Sequence, residues 1–178
     1  EGSLLVPASE SLFHFYEKNR YKTCFSMKEY TLSYNQFPVR SETEPELSVS
    51  SIDAEQYLSL RNRCFLNTCL KTLGFVSFDL PHIEYVLKEN EFTGGHACRL
   101  SIADRDYSLL YFIKGNKLYI KETTLDDENL FFGITRFASF NGCKEIYVRL
   151  PVTSSPKNMP AQPNIKKYGM ACIPYSIS

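Results

Sequence analysis

The stretch "CRLSIADRDYSLLYFIKGNKLYIKET" (98–123) has a hydrophobic period of two, and its reading decides the fold. Cys98, Leu100 and Ile102 alternate on one predicted strand, and Asp104-Arg105-Asp106 is expected to turn the chain. "YSLLYFI" (107–113) is apolar enough for a central strand, and Gly115-Asn116 is a tight hairpin turn into a third strand over about Lys117 to Glu122. The stretch therefore predicts three antiparallel strands in a meander. Downstream, Leu130, Phe131, Ile134, Phe137 and Ala138 recur at helical spacing. They predict a long helix capped by Thr124 or Asp126, with Gly142 in the C-terminal position. "EIYVRLP" (145–151) returns to a strand. A polar, proline-bearing segment then leads to "IKKYGMACIPYSI" (165–177), read as a short helical turn and a last strand.

Upstream of the meander the signals are helical. Asp53 and Gln56 have the spacing of a capping box, with Ile52 and Tyr57 placed to staple it. Ala54, Tyr57, Arg61, Cys64, Phe65 and Thr68 continue that helix to about Thr72. A second helix starts at Asp79-Leu80-Pro81 and buries Ile83, Val86 and Leu87 before "TGG" (93–95) breaks it. Further back, "YNQFPVRSETEPELS" (34–48) is polar and aperiodic, and a linker is placed over 34–45. Residues 3–8 read as a buried strand. Ser9 caps a helix whose Leu12, Phe15 and Tyr16 share a face, and a strand follows over Cys24 to Leu32.

The chain has 178 residues, 43% of them apolar, enough for a real core. Lys plus Arg number 20 and Asp plus Glu 20, so no net field draws the chain to nucleic acid or an anionic membrane, and no nucleic-acid or membrane partner is expected. No apolar run reaches a membrane span and no signal peptide is visible, which makes a cytoplasmic address the expectation. Cys24, Cys64, Cys69, Cys98, Cys143 and Cys172 lack the paired short spacings of a zinc site and read as reduced core residues, with no metal expected. His14, His82 and His96 are scattered without a matching base or nucleophile and read as surface or structural. Glu1 in place of an initiator Met suits a cut or processed chain.

The two ends of the chain resemble each other. "LLVPASESLFHFYEKNRYKTCFSM" (4–27) and "IYVRLPVTSSPKNMPAQPNIKKYGMACIPYS" (146–176) both run apolar strand, proline, small polar residues, Lys-rich helix end, aromatic, Cys, strand, given a four-residue insertion in the second. From about residue 46 the order is strand, helix, helix, three antiparallel strands, long helix, strand, short helix, strand. That order resembles the GNAT superfamily of acetyl-CoA-dependent N-acyltransferases. Residues 3–33 are similar to the last quarter of the same fold, where the family pattern Asn-x-x-Ala-x-x-Phe-Tyr-Glu-Lys-x-Gly-Phe stands as Ser9, Leu12, Phe15, Tyr16, Glu17, Lys18, Arg20 and Tyr21. The implied fold class is α/β (α+β), a mixed, largely antiparallel sheet flanked by helices. The implied organisation is that of two-domain bacterial members: residues 1–33 as the tail of a first GNAT-like domain, 34–45 as linker, and 46–178 as a second, diverged domain.

The resemblance implies an amine attacking the acetyl-CoA thioester, with Tyr16 protonating the departing thiolate; Tyr16 as a packing residue beside Leu12 and Phe15 is the other reading of the same position. Ser9 stands where many relatives have an asparagine that contacts coenzyme A; Ser9 as a helix cap alone is the other reading of that position. Arg20-Tyr21 in place of Gly-Phe puts the local turn geometry in question. The family's pyrophosphate loop corresponds to "KETTLDDENLFFG" (121–133), which has no glycine in the loop and carries Asp126, Asp127 and Glu128 at the helix's positive end. The second domain is thus expected to have the fold without the chemistry, and its counterpart to Tyr16 is Ile165. The partners implied are acetyl-CoA, an amine acceptor and a missing N-terminal GNAT-like domain, with a homo-oligomer left open. A non-catalytic interaction or ligand-binding module of the same fold is the alternative.

Overall fold

The computed structural model describes residues 3–39, 44–69 and 77–172, with the side chains of 65–69 left out of the description. In chain order the elements are β1 (Ser3–Leu5), α1 (Glu10–Lys18), β2 (Lys22–Ser33), a 3-10 turn (Tyr34–Gln36), β3 (Leu47–Ser50), α2 (Ala54–Cys69) and α3 (Leu80–Phe92). They continue with β4 (Gly95–Ile102), β5 (Arg105–Lys114), β6 (Lys117–Thr123), α4 (Leu130–Phe140), β7 (Glu145–Pro151) and β8 (Asn164–Cys172). The strands form one sheet in the order β1-β8-β2-β7-β6-β5-β4-β3. β6 and β7 run parallel, joined through α4, and the other neighbouring pairs are antiparallel.

The meander forms as its alternation predicts. Its first turn is shorter than expected: Ile102 pairs with Arg105, so Ala103 and Asp104 alone make the corner, with Ala103 at φ 50°. Lys114 pairs with Lys117 around Gly115-Asn116. Leu100, Leu109, Leu118, Ile120, Ile146 and Val148 face one side of the sheet and bury against Leu130, Ile134 and Phe137 of α4. Each such side chain contributes roughly 1.5–3 kcal/mol when fully withdrawn from water. Gly133 lets α4 come close, because a Cβ there would lie 3.0 Å from Leu125 Cδ1 and 3.2 Å from Ile102 Cδ1. At the helix's end Gly142, φ 66°, closes a Schellman motif: Cys143 N–H donates to Ala138 O at 2.9 Å and Gly142 N–H to Ser139 O at 3.1 Å.

On the opposite side, α2 and α3 cover part of the sheet through Tyr57, Ile83 and Leu110. The capping box forms, with Gln56 N–H donating to Asp53 Oδ1 at 2.8 Å and Asp53 N–H to Gln56 Oε1 at 3.4 Å, and Ile52 packs in the cluster around Tyr57. The expected end of α2 at Thr72 lies outside the described residues. Asp79 caps α3 by accepting from His82 N–H at 3.0 Å. Buried Asn90 ties α3 to the sheet, its amide donating to His96 O at 3.0 Å and Tyr111 O at 3.3 Å. Gly95 passes so near that a Cβ would fall 2.4 Å from Asn90 Oδ1. Gly95→Ala must displace that amide, and we expect a loss of about 1–3 kcal/mol, read as a lowered urea midpoint at unchanged slope.

The two ends of the chain interleave. β8 lies between β1 and β2, and β2 lies between β8 and β7. β1 and β2 are parallel to each other across β8, and β7 and β8 are parallel across β2, so each end is a strand–connection–strand unit enclosing a strand of the other. Two expectations fail here. Residues 164–172 are strand throughout, with no helical turn, because β8 is held on both sides by ladder hydrogen bonds that override its weak local signal. The stretch 152–163 that joins β7 to β8 contains no helix, so the second unit has no counterpart of α1, and Ile165 is an exposed strand residue rather than a helical counterpart of Tyr16. The connection between β2 and β3 is docked rather than loose: Phe37 packs on the α4 core and Glu44 pairs with Arg136 of α4.

Candidate functional site

α1 carries the family-like motif. Its nine residues bury Phe13, while Leu12 and Phe15 are exposed, which corrects the predicted Leu12–Phe15–Tyr16 face. Tyr16 is half-buried, edge-on to both Phe15 and Tyr21 with ring centroids 5.3 Å away in each case, and its hydroxyl makes no hydrogen bond among the described residues. Ser9 sits at the N-cap with extended backbone, and its carbonyl accepts from Leu12 and Phe13 N–H. Its hydroxyl does not cap; it bonds Ser11 Oγ at 2.9 Å. Both side chains therefore present polar groups at α1 that the fold itself does not consume in capping or core bonds.

The turn after α1 closes on a left-handed residue that is not glycine. Tyr21 N–H donates to Tyr16 O at 3.1 Å and Arg20 N–H to Glu17 O at 3.3 Å, the Schellman pattern seen again at Gly142, with Arg20 at φ 68° in the left-handed position. An L side chain is strained there, so Arg20→Gly should stabilise the chain by roughly 0.5–1 kcal/mol, measured as a raised Tm.

At the start of α4 the acids act as anticipated, in altered positions. Asp126 Oδ1 accepts from Asn129 N–H at 2.8 Å and Glu128 N–H at 3.2 Å, and Oδ2 from Tyr107 OH at 2.8 Å. Burial opposes its charge, but the Asn129 and Glu128 amides, the Asn129 side chain and Tyr107 together hold its carboxyl below the usual range. Thr124 is not a cap; its hydroxyl accepts from Ser108 N–H at 2.7 Å within the sheet. The segment after β7 is fastened onto the same turn: Ser155 N–H reaches Asp127 Oδ2 at 2.9 Å, Lys157 N–H reaches Asp127 O at 2.7 Å and Lys157 Nζ reaches Glu128 Oε1 at 2.7 Å. Amides that would cradle a phosphate are taken by carboxylates, and the negative charge at the turn opposes an anion.

Three features were not anticipated from sequence. A bulge at the Leu110/Tyr111 step of the β5–β6 ladder turns Glu122 to the α2 side, where its Oε1 accepts from Tyr57 OH at 2.8 Å and from Arg61 Nε at 3.0 Å. Arg61 lies 4.4 Å above the Phe78 ring, and burial followed by the Glu122 charge keeps the Tyr57 phenol protonated. Secondly, Glu29 is gripped by Lys166 Nζ at 2.7 Å and Arg149 Nε at 3.3 Å across three strands. Thirdly, Lys28 and Tyr30 of β2 line a cleft under residues 155–163. His14 and His82 are exposed beside Glu17 and Asp79, and His96 is exposed near Tyr111. No disulfide forms among the described residues: Cys98 and Cys143 are buried, with burial pushing the Cys98 thiol up to about 12, but Cys24 is exposed, against the expectation of a core residue. Among the described residues no group of acids, His and Cys is arranged for a metal, and no helix is long and apolar enough to cross a membrane.

The parallel β6–α4–β7 crossover stands beside an antiparallel meander, with α2 and α3 ahead of it, and the chain as a whole superposes on solved structures. A probable N-acyltransferase from Enterococcus faecalis V583 superposes with a TM-score of 0.66 at 16% identity, over 96% of this chain and 44% of that one. The chain has a GNAT superfamily fold. A GCN5-related N-acetyltransferase from Kribbella flavida gives 0.65 at 13% identity, over 96% and 42%, and one from Anabaena variabilis ATCC 29413 gives 0.61 at 13%, over 96% and 45%. The chain thus spans less than half the length of these structures. No protein-family model and no curated protein matches the sequence.

Proposed function

We propose that this chain is the later part of an acetyl-CoA-dependent N-acetyltransferase built of two GNAT-like units, cytoplasmic and bacterial, in which residues 1–33 complete the first unit and 46–178 form the second. The observation that carries the reading is the interleaved sheet. β1 stands to β8 and β2 as β7 stands to β2 and β8, and the remaining neighbour of β7 is the parallel strand β6. The outer edge of β1 is then the place for a parallel strand of a preceding unit, and α1 falls where that unit's thiolate-protonating helix belongs. Tyr16 is the proton donor: its hydroxyl is uncommitted and its ring is fixed between two aromatic neighbours. Ser9, at the start of α1, is placed to contact the cofactor. The amine attacks the thioester carbonyl, the C–S bond of the tetrahedral adduct breaks, and the thiolate takes its proton from the Tyr16 phenol; the proton lost by the amine nitrogen passes through water back to the Tyr16 phenolate, leaving amide, free thiol and phenol.

The second unit supports this site without repeating it, since its α4 turn is occupied by Asp126, Asp127 and Glu128. Calorimetric titration with acetyl-CoA tests the reading: binding is expected in a protein extended by a preceding GNAT-like unit and not in the 178-residue chain. Absence of binding in both would overturn the transferase and leave a GNAT-shaped binding module, the alternative favoured by the carboxylate-filled turn.

A further inference from the structure

The cleft of about 320 Å³ between β2 and the segment 155–163 belongs to neither α1 nor the α4 turn, and its walls are chemically divided. Pro156, Met159, Ala161 and Pro163 make an apolar wall, while Lys28 and Tyr30 supply polar groups from the strand and Gln162 an amide at the rim. Lys28 and Tyr30 are two residues apart, so they share a face of β2 at a spacing of about 7 Å. The Lys28 ammonium uses one donor on Ser154 O at 2.5 Å and keeps others for a ligand. Tyr30 is 4% exposed, yet its hydroxyl has no hydrogen-bond partner among the described residues. The ring is buried while the hydroxyl keeps solvent access at the cleft, so an occupant that accepts its proton takes the place of water there.

We infer that this cleft is a binding site for a small monocarboxylate with an apolar body. Two donors converge on the carboxylate, and the proline-lined wall takes the hydrocarbon. Burial first, and then the charge of Asp127, raises the Tyr30 phenol, which keeps it a donor at neutral pH. The same Asp127 disfavours a dianion, so a phosphate fits less well than a single carboxylate. The inference is independent of where acetyl-CoA binds.

The test uses the 178-residue chain with hexanoate as the probe and amide chemical-shift mapping as the readout. Saturable shifts confined to Lys28–Tyr30 and the amides between Ser155 and Gln162 are expected, with hexylamine and hexanol producing none of comparable size. Tyr30→Phe and Lys28→Met should each weaken hexanoate by about tenfold, the loss of one charge-assisted hydrogen bond. Lys28→Arg keeps a charge and a donor to Ser154, and it should retain binding where Lys28→Met does not. Absence of shifts at these residues, equal shifts with hexylamine, or displacement of hexanoate by inorganic phosphate would overturn the assignment.

Discussion

A chain shortened to residues 46–178 will not fold. The sequence places a domain boundary in the polar stretch 34–45, and a fragment cut there would look complete by its order of elements. In the sheet it has a gap. β2 occupies the position between β7 and β8, pairing with β7 from Met27 to Ser33 and with β8 from Lys22 to Glu29. It also delivers Tyr30 and Leu32 to the α4 core, Leu32 fully buried. Losing a single buried Leu side chain costs about 2–5 kcal/mol, against a total stability of roughly 5–15 kcal/mol for a domain. Removing the whole strand also leaves two long edges unpaired. Residues 46–178 are expected to show no cooperative denaturant transition and to aggregate. Addition of residues 1–33 as a separate peptide should restore a transition. A cooperative transition and a dispersed amide spectrum from 46–178 alone would show that β2 is dispensable.

Tyr16→Phe, in a protein that includes the preceding unit, should lower kcat for acetyl transfer by about 10²–10⁴ while leaving stability within about 0.5 kcal/mol. The ring contacts to Phe15 and Tyr21 survive the substitution, and the hydroxyl it removes serves no hydrogen bond among the described residues. A catalytic phenol and a packing ring therefore separate cleanly. Stopped-flow release of free thiol reads the first property, and a urea midpoint reads the second. An unchanged kcat would make Tyr16 a packing residue. A large loss of stability would mean that the hydroxyl holds the fold.

What the residues disclosed in advance, and what they did not, follows from the range of the forces involved. The meander was legible because its outer strands alternate around the apolar run 107–113, and because Gly115 and Gly142 accept the left-handed backbone their turns need. The caps at Asp53 and Asp79 were legible because a cap is made within four residues. The buried face of α1 was not. Leu12, Phe13, Phe15 and Tyr16 spread apolar surface over nearly half of the circumference of a nine-residue helix, and only docking selects Phe13. β8 was misread because "IKKYG" alternates poorly; its conformation is imposed by β1 and β2, which are remote in sequence. The position of β2 between β7 and β8 has no local signature at all. Neither has the cleft at Lys28 and Tyr30, since one wall comes from a loop more than 120 residues away.

The same division applies to function. Ser9 and Tyr16 were found by motif, and the structure leaves their hydroxyls unengaged by capping or the core, the Ser9 group bonded only to Ser11. The acids at Asp126 to Glu128 were read as hostile to a pyrophosphate, and the segment fastened over them by Ser155 and Lys157 adds a second, steric reason that no local pattern announces.

On the proposed reading, acetyl-CoA chemistry lies on the α1 side of the interleaved sheet and not at α4. Amide hydrogen exchange of the longer protein, with and without acetyl-CoA, separates the two places. New protection is expected in residues 9–21 and in the preceding unit, with none at residues 124–130. Protection at 124–130, with residues 9–21 unchanged, would contradict it and place the cofactor at the turn held by Asp126.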